Sequence, residues 1–69
     1  MLSSQSFTSN SSVISTVRED NSDLIVTLRS GKSYRYHGAA EIFDTFEGAR
    51  SHGAFYNERI KPVYPAEPV

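Results

Sequence analysis

Cysteine is absent from the 69-residue chain. A disulfide staple, a thiolate metal site and a cysteine nucleophile are therefore excluded together. No apolar run approaches the ~20 residues needed to span a bilayer, so no membrane role is expected. The N-terminus lacks the charged and apolar regions of a secretory signal, and a cytoplasmic location is the expectation. Charge of one sign is also missing: seven Lys and Arg oppose eight Asp and Glu, a formal net charge of −1. No global basic field exists of the kind that drives non-specific nucleic-acid binding. A chain of this length has room for one domain and one modest core, and such a core supplies only ~3–5 kcal/mol unless something else helps. Without disulfides, that help comes from close helix–sheet packing or self-association.

What is present is organised around Leu24–His37, LIVTLRSGKSYRYH. Leu24, Val26 and Leu28 alternate with Ile25, Thr27 and Arg29. Beyond Ser-Gly-Lys, Tyr34 and Tyr36 alternate with Ser33, Arg35 and His37. Period 2 with β-branched and aromatic residues around a glycine-bearing turn predicts a hairpin. Val13–Arg18 is a further strand, but both of its faces carry apolar residues. If Ile14 and Val17 both point inward, a bulge must absorb one residue. The intervening Glu19–Asp23 is a run of turn formers, and its acids read as a solvated loop. A calcium loop needs a longer ligand register with a distal Glu.

After Gly38 the period changes. Ala39, Ile42, Phe43, Phe46 and Ala49 recur at helical spacing, predicting an amphipathic helix of roughly three turns. Glu41, Asp44 and Glu47 occupy its polar side. Ser51-His52-Gly53 breaks it, with Gly53 suited to a left-handed position, and Ala54–Lys61 is a second short helix that Pro62 stops. Residues 1–11, uncharged and rich in serine, have too little apolar surface to offset chain entropy and read as a disordered tail. Residues 12–64 form the domain, and residues 65–69 an extended tail set by Pro65 and Pro68.

Catalytic and metal chemistry find little support. Serines crowd the first twelve positions with no nearby histidine in sequence and no nucleophile-elbow pattern. His37 and His52 lack metal-ligand spacing and companions. No catalytic residue, cofactor or metal is therefore assigned. Tyr34-Arg35-Tyr36 admits two readings. Both rings share one face of a strand and fill the core, or they lie on an open sheet and stack on bases. The residues favour the core, with Arg35 pointing to the same outer surface as Arg29. Charge is uneven along the chain: Gly38–Glu47 holds three acids and no base, whereas Gly48–Tyr64 holds Arg50, Arg59 and Lys61 against Glu58 alone. Such a dipolar surface suits a protein partner or a phosphate backbone.

The order Ser12-x-Ile14, Leu24-x-Val26, Gly31, Tyr34-x-Tyr36, Ala49-x-Ser51-x-Gly53, Phe55-Tyr56-Asn57, Ile60 and Tyr64 resembles the KTSC domain. That family is named for the C-terminal segment of some lysyl-tRNA synthetases and also occurs as free-standing small bacterial and phage proteins. The resemblance covers about Ser12–Tyr64. The chain departs from it at Ala39-Ala40, where the family often has Val-Pro; alanine is a good helix former, so the helix should survive with a less fixed start. The resemblance implies a compact domain and, by association with a tRNA synthetase, RNA binding. It makes Tyr34, Tyr36, Ser51, Gly53, Phe55, Asn57 and Tyr64 family-motif residues of structural character.

The expected fold is α+β and two-layered: a three-stranded antiparallel β-meander followed by two short helices packed on one face. The expected core is Ile14, Val17, Leu24, Val26, Leu28, Tyr34, Tyr36, Ile42, Phe43, Phe46, Ala49, Phe55 and Ile60. Two functional classes are carried forward. One is a non-catalytic RNA-binding module that contacts phosphates through Arg29, Lys32, Arg35, Arg59 and Lys61. The other is a protein-interaction adaptor, of phage, prophage or bacterial origin, acting on a host or cellular protein.

Overall fold

A computed structural model describes residues 5–69. Five strands form one antiparallel sheet in chain order: β1 (Ser6–Thr8), β2 (Ile14–Asp20), β3 (Asp23–Leu28), β4 (Ser33–Tyr36) and β5 (Ala66–Pro68). Between β4 and β5 the chain forms a 3₁₀ turn at Ala39–Ile42, the helix α1 (Phe43–Glu47), the helix α2 (His52–Phe55) and a π-helical turn at Tyr56–Ile60. The α+β class, the antiparallel sheet and the two short helices agree with the sequence. The strand count does not, because the meander has five strands rather than three.

Both additional strands come from segments read as tails. Of the expected disordered residues 1–11, positions 1–4 lie outside the described residues, but Ser6–Thr8 pairs with β2 in the register Phe7↔Val17. Composition undervalued this segment because its anchor is a single apolar residue. Phe7 packs edge-on against Phe43 and Phe46, with ring centroids 5.5 and 5.4 Å away. At the other end β5 pairs with β4 through Tyr36↔Ala66 and Tyr34↔Pro68. Proline sits comfortably there because β5 is an edge strand that has no further neighbour to donate to.

The two-faced pattern of β2 is resolved by a bulge. Ile14 pairs with Leu28 while Thr16 pairs with Thr27, which leaves Ser15 as the extra residue. The insertion changes the side-chain phase, so Ile14 and Val17 both point inward and are fully buried. They join Leu24, Val26, Tyr36, Ala39, Phe43, Phe46, Tyr56 and Ile60 in one cluster. Leu28, Tyr34, Ile42 and Phe55 are half-buried at its margin. Ala49 lies outside that cluster, because α1 ends at Glu47 and the helical period is not continued. Ile25 is buried on the opposite face, in register between Arg18 and Arg35, whose stems are placed to shield it.

Gly31 and Gly38 both have positive φ. Gly38 has φ 80, a left-handed conformation that turns the chain from β4 into the 3₁₀ segment. Gly53, expected to be left-handed, is instead inside α2 and shows no positive φ. Its role is close approach: a Cβ there would stand 3.1 Å from Ser11 Oγ. The turn at Tyr56–Ile60 widens because Lys61 N–H donates to the Tyr56 carbonyl, an i→i+5 bond of 3.0 Å. Tyr56 and Ile60, four positions apart on one face, are both buried.

Phe46→Ala should cost about 3–5 kcal/mol by cavity formation, close to the whole stability of a domain this size. Phe7→Ala tests β1 separately. Thermal or denaturant melts should show a loss of about 1–3 kcal/mol; a disordered tail would melt like the parent.

Candidate functional site

The five cations proposed from sequence do not form one surface. Arg35 forks between two carboxylates on β2 and β3, with Nη2 2.6 Å from Asp20 Oδ2 and Nη1 2.9 Å from Asp23 Oδ2. Its guanidinium is thus already neutralised by neighbours on the outer sheet face, and the acids read as a solvated loop are its partners. Those carboxylates push the Arg35 guanidinium up, first Asp20 and then Asp23. Asp23 is held below the ordinary carboxylate range, chiefly by the Gly38 backbone N–H at 2.8 Å and next by Arg35.

Arg29 is also committed. Its Nε and Nη2 donate to the carbonyls of Ser11 (3.0 Å) and Ser9 (2.8 Å), tying down the connection between β1 and β2. Arg35 pairs with Ile25, so four residues of chain, on the order of 13 Å, separate the two arginines along β3. The outer-face pair expected from strand alternation therefore does not exist as a joint phosphate site.

Lys32, Arg59 and Lys61 remain exposed, and among the described residues none of the three forms an ion pair. Arg59 lies 6.0 Å from the Phe55 ring centroid, and the Lys61 ammonium lies 5.8 Å from that of Tyr56. Both contacts are within the range of a cation–π attraction.

Tyr36 is buried, as the core reading required, and its hydroxyl hydrogen-bonds the Tyr56 hydroxyl across the two layers. The rings meet edge to face at 5.6 Å. Burial pushes the Tyr36 phenol well up, and the Tyr56 hydroxyl adds to that; burial also raises Tyr56. Tyr34 is half-buried on the same inner side. Together with Leu28, Lys61, Tyr64, Pro65 and β5 it lines a recess of about 510 Å³. Tyr64 is turned into place by its own N–H, which donates to the Ile60 carbonyl at 3.0 Å. Its hydroxyl donates to Glu41 Oε2 at 2.7 Å, and that carboxylate raises its pKa. The recess thus offers two partly exposed phenol rings, proline walls and one ammonium.

The other family-motif residues meet elsewhere. Ser51 caps α2 by accepting from Ala54 N–H at 3.2 Å, and Phe55 stacks on Phe46 at 5.2 Å. Asn57 is exposed at the edge of a second, polar recess shared with Ser12, Arg50 and Gly53. Ser11 bounds that recess too, but its Oγ is occupied in accepting from Val13 N–H at 3.0 Å and Ile14 N–H at 3.3 Å.

Ser9 and His52 form a contact hidden from sequence reasoning. Ser9 is buried, and its Oγ lies 2.6 Å from His52 Nδ1, while His52 Nε2 donates to the Glu47 carbonyl at 3.0 Å. A carbonyl only accepts, so in the neutral ring Nε2 carries the proton and Nδ1 accepts from Ser9. With its third partner a backbone carbonyl and its hydroxyl sealed from solvent, the pair pins β1 to α2. The separation of 43 positions left no local signal. Among the described residues no group of three His, Cys, Asp or Glu could hold a metal ion, and no helix is long and apolar enough to cross a membrane.

The tyrosine pair makes two predictions. Tyr56→Phe leaves the Tyr36 hydroxyl buried without a partner and should cost about 1–3 kcal/mol, whereas adding Tyr36→Phe should restore much of the loss; additive losses would contradict the pairing. Because the folded phenols are raised, their contribution is whole below the ordinary tyrosine value of about 10 and is lost as pH rises through the raised values. Stability measured across the alkaline range should therefore decline in the parent and less in the double variant. The KTSC domain model matches residues 10–64 of the chain. No curated protein matches it.

Proposed function

The chain belongs to the KTSC domain family, and from that premise we propose that it is a non-catalytic module that binds single-stranded RNA at the aromatic recess. The observation that carries this reading is that Tyr34, Tyr64 and Lys61 line one open recess, Lys61 forming no ion pair among the described residues. A base stacked on an aromatic ring gains about 1–3 kcal/mol without regard to its identity, and a lysine at the rim neutralises the adjoining phosphate. Lys32 supports the same end of the sheet. It sits in the turn that joins Leu28 to β4, and its carbonyl accepts from Leu28 N–H at 2.8 Å. The family's association with lysyl-tRNA synthetases points the same way. Of the cations proposed from sequence, Lys32 and Lys61 now carry the phosphate contacts, with Arg59 on the adjoining helical turn.

A second reading, a protein-interaction adaptor, draws on Glu41, Asp44 and Glu47, all exposed along the first helical segments. This acidic face repels RNA and suits a basic protein surface.

Titration of a short single-stranded oligouridylate at several salt concentrations separates them. Two phosphate contacts give a log–log salt slope of about −1.4, and Lys61→Ala should reduce it by about 0.7. Tyr64→Ala should weaken binding with little change in slope, since it removes stacking rather than charge. Absence of binding at low salt overturns the RNA reading and leaves the adaptor.

A further inference from the structure

The polar recess between the β1–β2 connection and α2 encloses about 660 Å³ and shares no residue with the aromatic one. Its serine hydroxyls are already engaged as acceptors. Ser11 Oγ accepts from the Val13 and Ile14 N–H groups, and Ser51 Oγ accepts from the Ala54 N–H. A serine hydroxyl has two lone pairs and one proton to give. With both lone pairs of Ser11 taken, what it has left to offer the recess is its proton. The Asn57 carboxamide and the Arg50 guanidinium are exposed on the same wall and add N–H groups. Arg50 forms no ion pair among the described residues. His52 offers no free nitrogen, because Nδ1 is turned to Ser9 and Nε2 to the Glu47 carbonyl.

Gly53 keeps space open beside these donors. Its φ is not positive, so its backbone conformation is open to any residue, and alanine is the better helix former. What alanine would change is room. Its Cβ would stand 3.1 Å from Ser11 Oγ and 4.0 Å from Val13 Cγ2, in the place where a ligand atom can approach the Ser11 hydroxyl.

We propose that this recess binds a phosphate group, either free or as the monoester of a small metabolite. A phosphate presents acceptor oxygens in several directions. That matches hydroxyl and amide donors gathered around one guanidinium, whose planar fork takes two oxygens at once. A cationic ligand finds a single carboxylate in the lining, that of Glu47. Glu47 opposes an anion and so lowers the affinity, but it is outnumbered by donors. Recognition is by side chains, since α2 has only four residues and gives little helix-end field. The site is independent of the RNA reading, in which Arg50 has no part.

Amide NMR of the full chain titrated with inorganic phosphate, at fixed pH and ionic strength, tests it. Saturable shifts should appear at Ser11, Ser12, Ser51, Gly53 and Asn57 and not at Ala66 or Glu67. Arg50→Gln should weaken binding about tenfold, the loss of one charge-assisted pair. Glu47→Gln should tighten it about twofold; weakening there means that the recess selects a cationic group and overturns the proposal. Gly53→Ala should melt no lower than the parent yet lose most of the affinity. If that variant unfolds, the two charge variants still decide. Glycerol phosphate binding more tightly than inorganic phosphate assigns the site to a monoester, and the reverse order assigns it to the free ion. Acetate binding as tightly as phosphate, unchanged affinity in Arg50→Gln, or no saturable shift at all overturns the site. Tyr64→Ala should leave phosphate affinity at the parent value while it weakens oligouridylate, so the two readings fail separately.

Discussion

Phe46 is fully buried, and the rings that close on it come from two distant parts of the chain: Phe7 on β1 at 5.4 Å, and His52 and Phe55 on α2 at 5.7 and 5.2 Å. In a cysteine-free domain this small, that cluster does the work a disulfide would do elsewhere. It draws the N-terminal strand under the helices, and the buried Ser9–His52 hydrogen bond then fixes the strand's register end. Removing any one ring opens the same small cavity, which makes β1, α1 and α2 depend on one another rather than on their own propensities. None of these helices is long enough to persist alone.

The second tie between the layers is the hydroxyl pair of Tyr36 and Tyr56. Two phenols are buried here at no unsatisfied cost because each supplies the other's partner. No buried side-chain polar atom lacks one among the described residues. Tyr56 and Ile60, four positions apart, lie on one face of their turn and are both buried. The Tyr-x-Tyr element thus divides its labour: Tyr36 serves the core, and Tyr34, one pleat along, reaches the recess.

Electrostatics on the outer face follow a different logic. Arg35 holds Asp20 and Asp23 across the β2–β3 turn, and Asp23 in turn accepts the Gly38 N–H and faces His37. Three strands and the exit toward the helices meet at that one carboxylate. An arginine that looks like a phosphate contact in the linear sequence is consumed in organising the sheet. Lys32, Arg59 and Lys61, left to act on a partner, form no ion pair among the described residues.

Much was legible in the sequence wherever the signal is local and periodic. Strand alternation placed Leu24, Val26 and Tyr36 inward, helical spacing placed Phe43 and Phe46, and the conflict within Val13–Arg18 called for the bulge found at Ser15. The motif order from Ser12 to Tyr64 carried the family, now matched over residues 10–64. What only the tertiary structure decided depends on partners far apart in the chain. Phe7 in a serine-rich segment, Pro68 in a proline-broken tail and Gly53 beside Ser11 have no periodicity to announce them. Their roles arise because an antiparallel meander accepts any short segment that can complete an edge and bury one ring. The same holds for the candidate site: the residue types of Arg29, Arg35 and Lys61 are equivalent in sequence, and only the positions of Ser9, Asp20, Asp23 and Tyr64 separate the cations that hold the fold from the one that faces the recess.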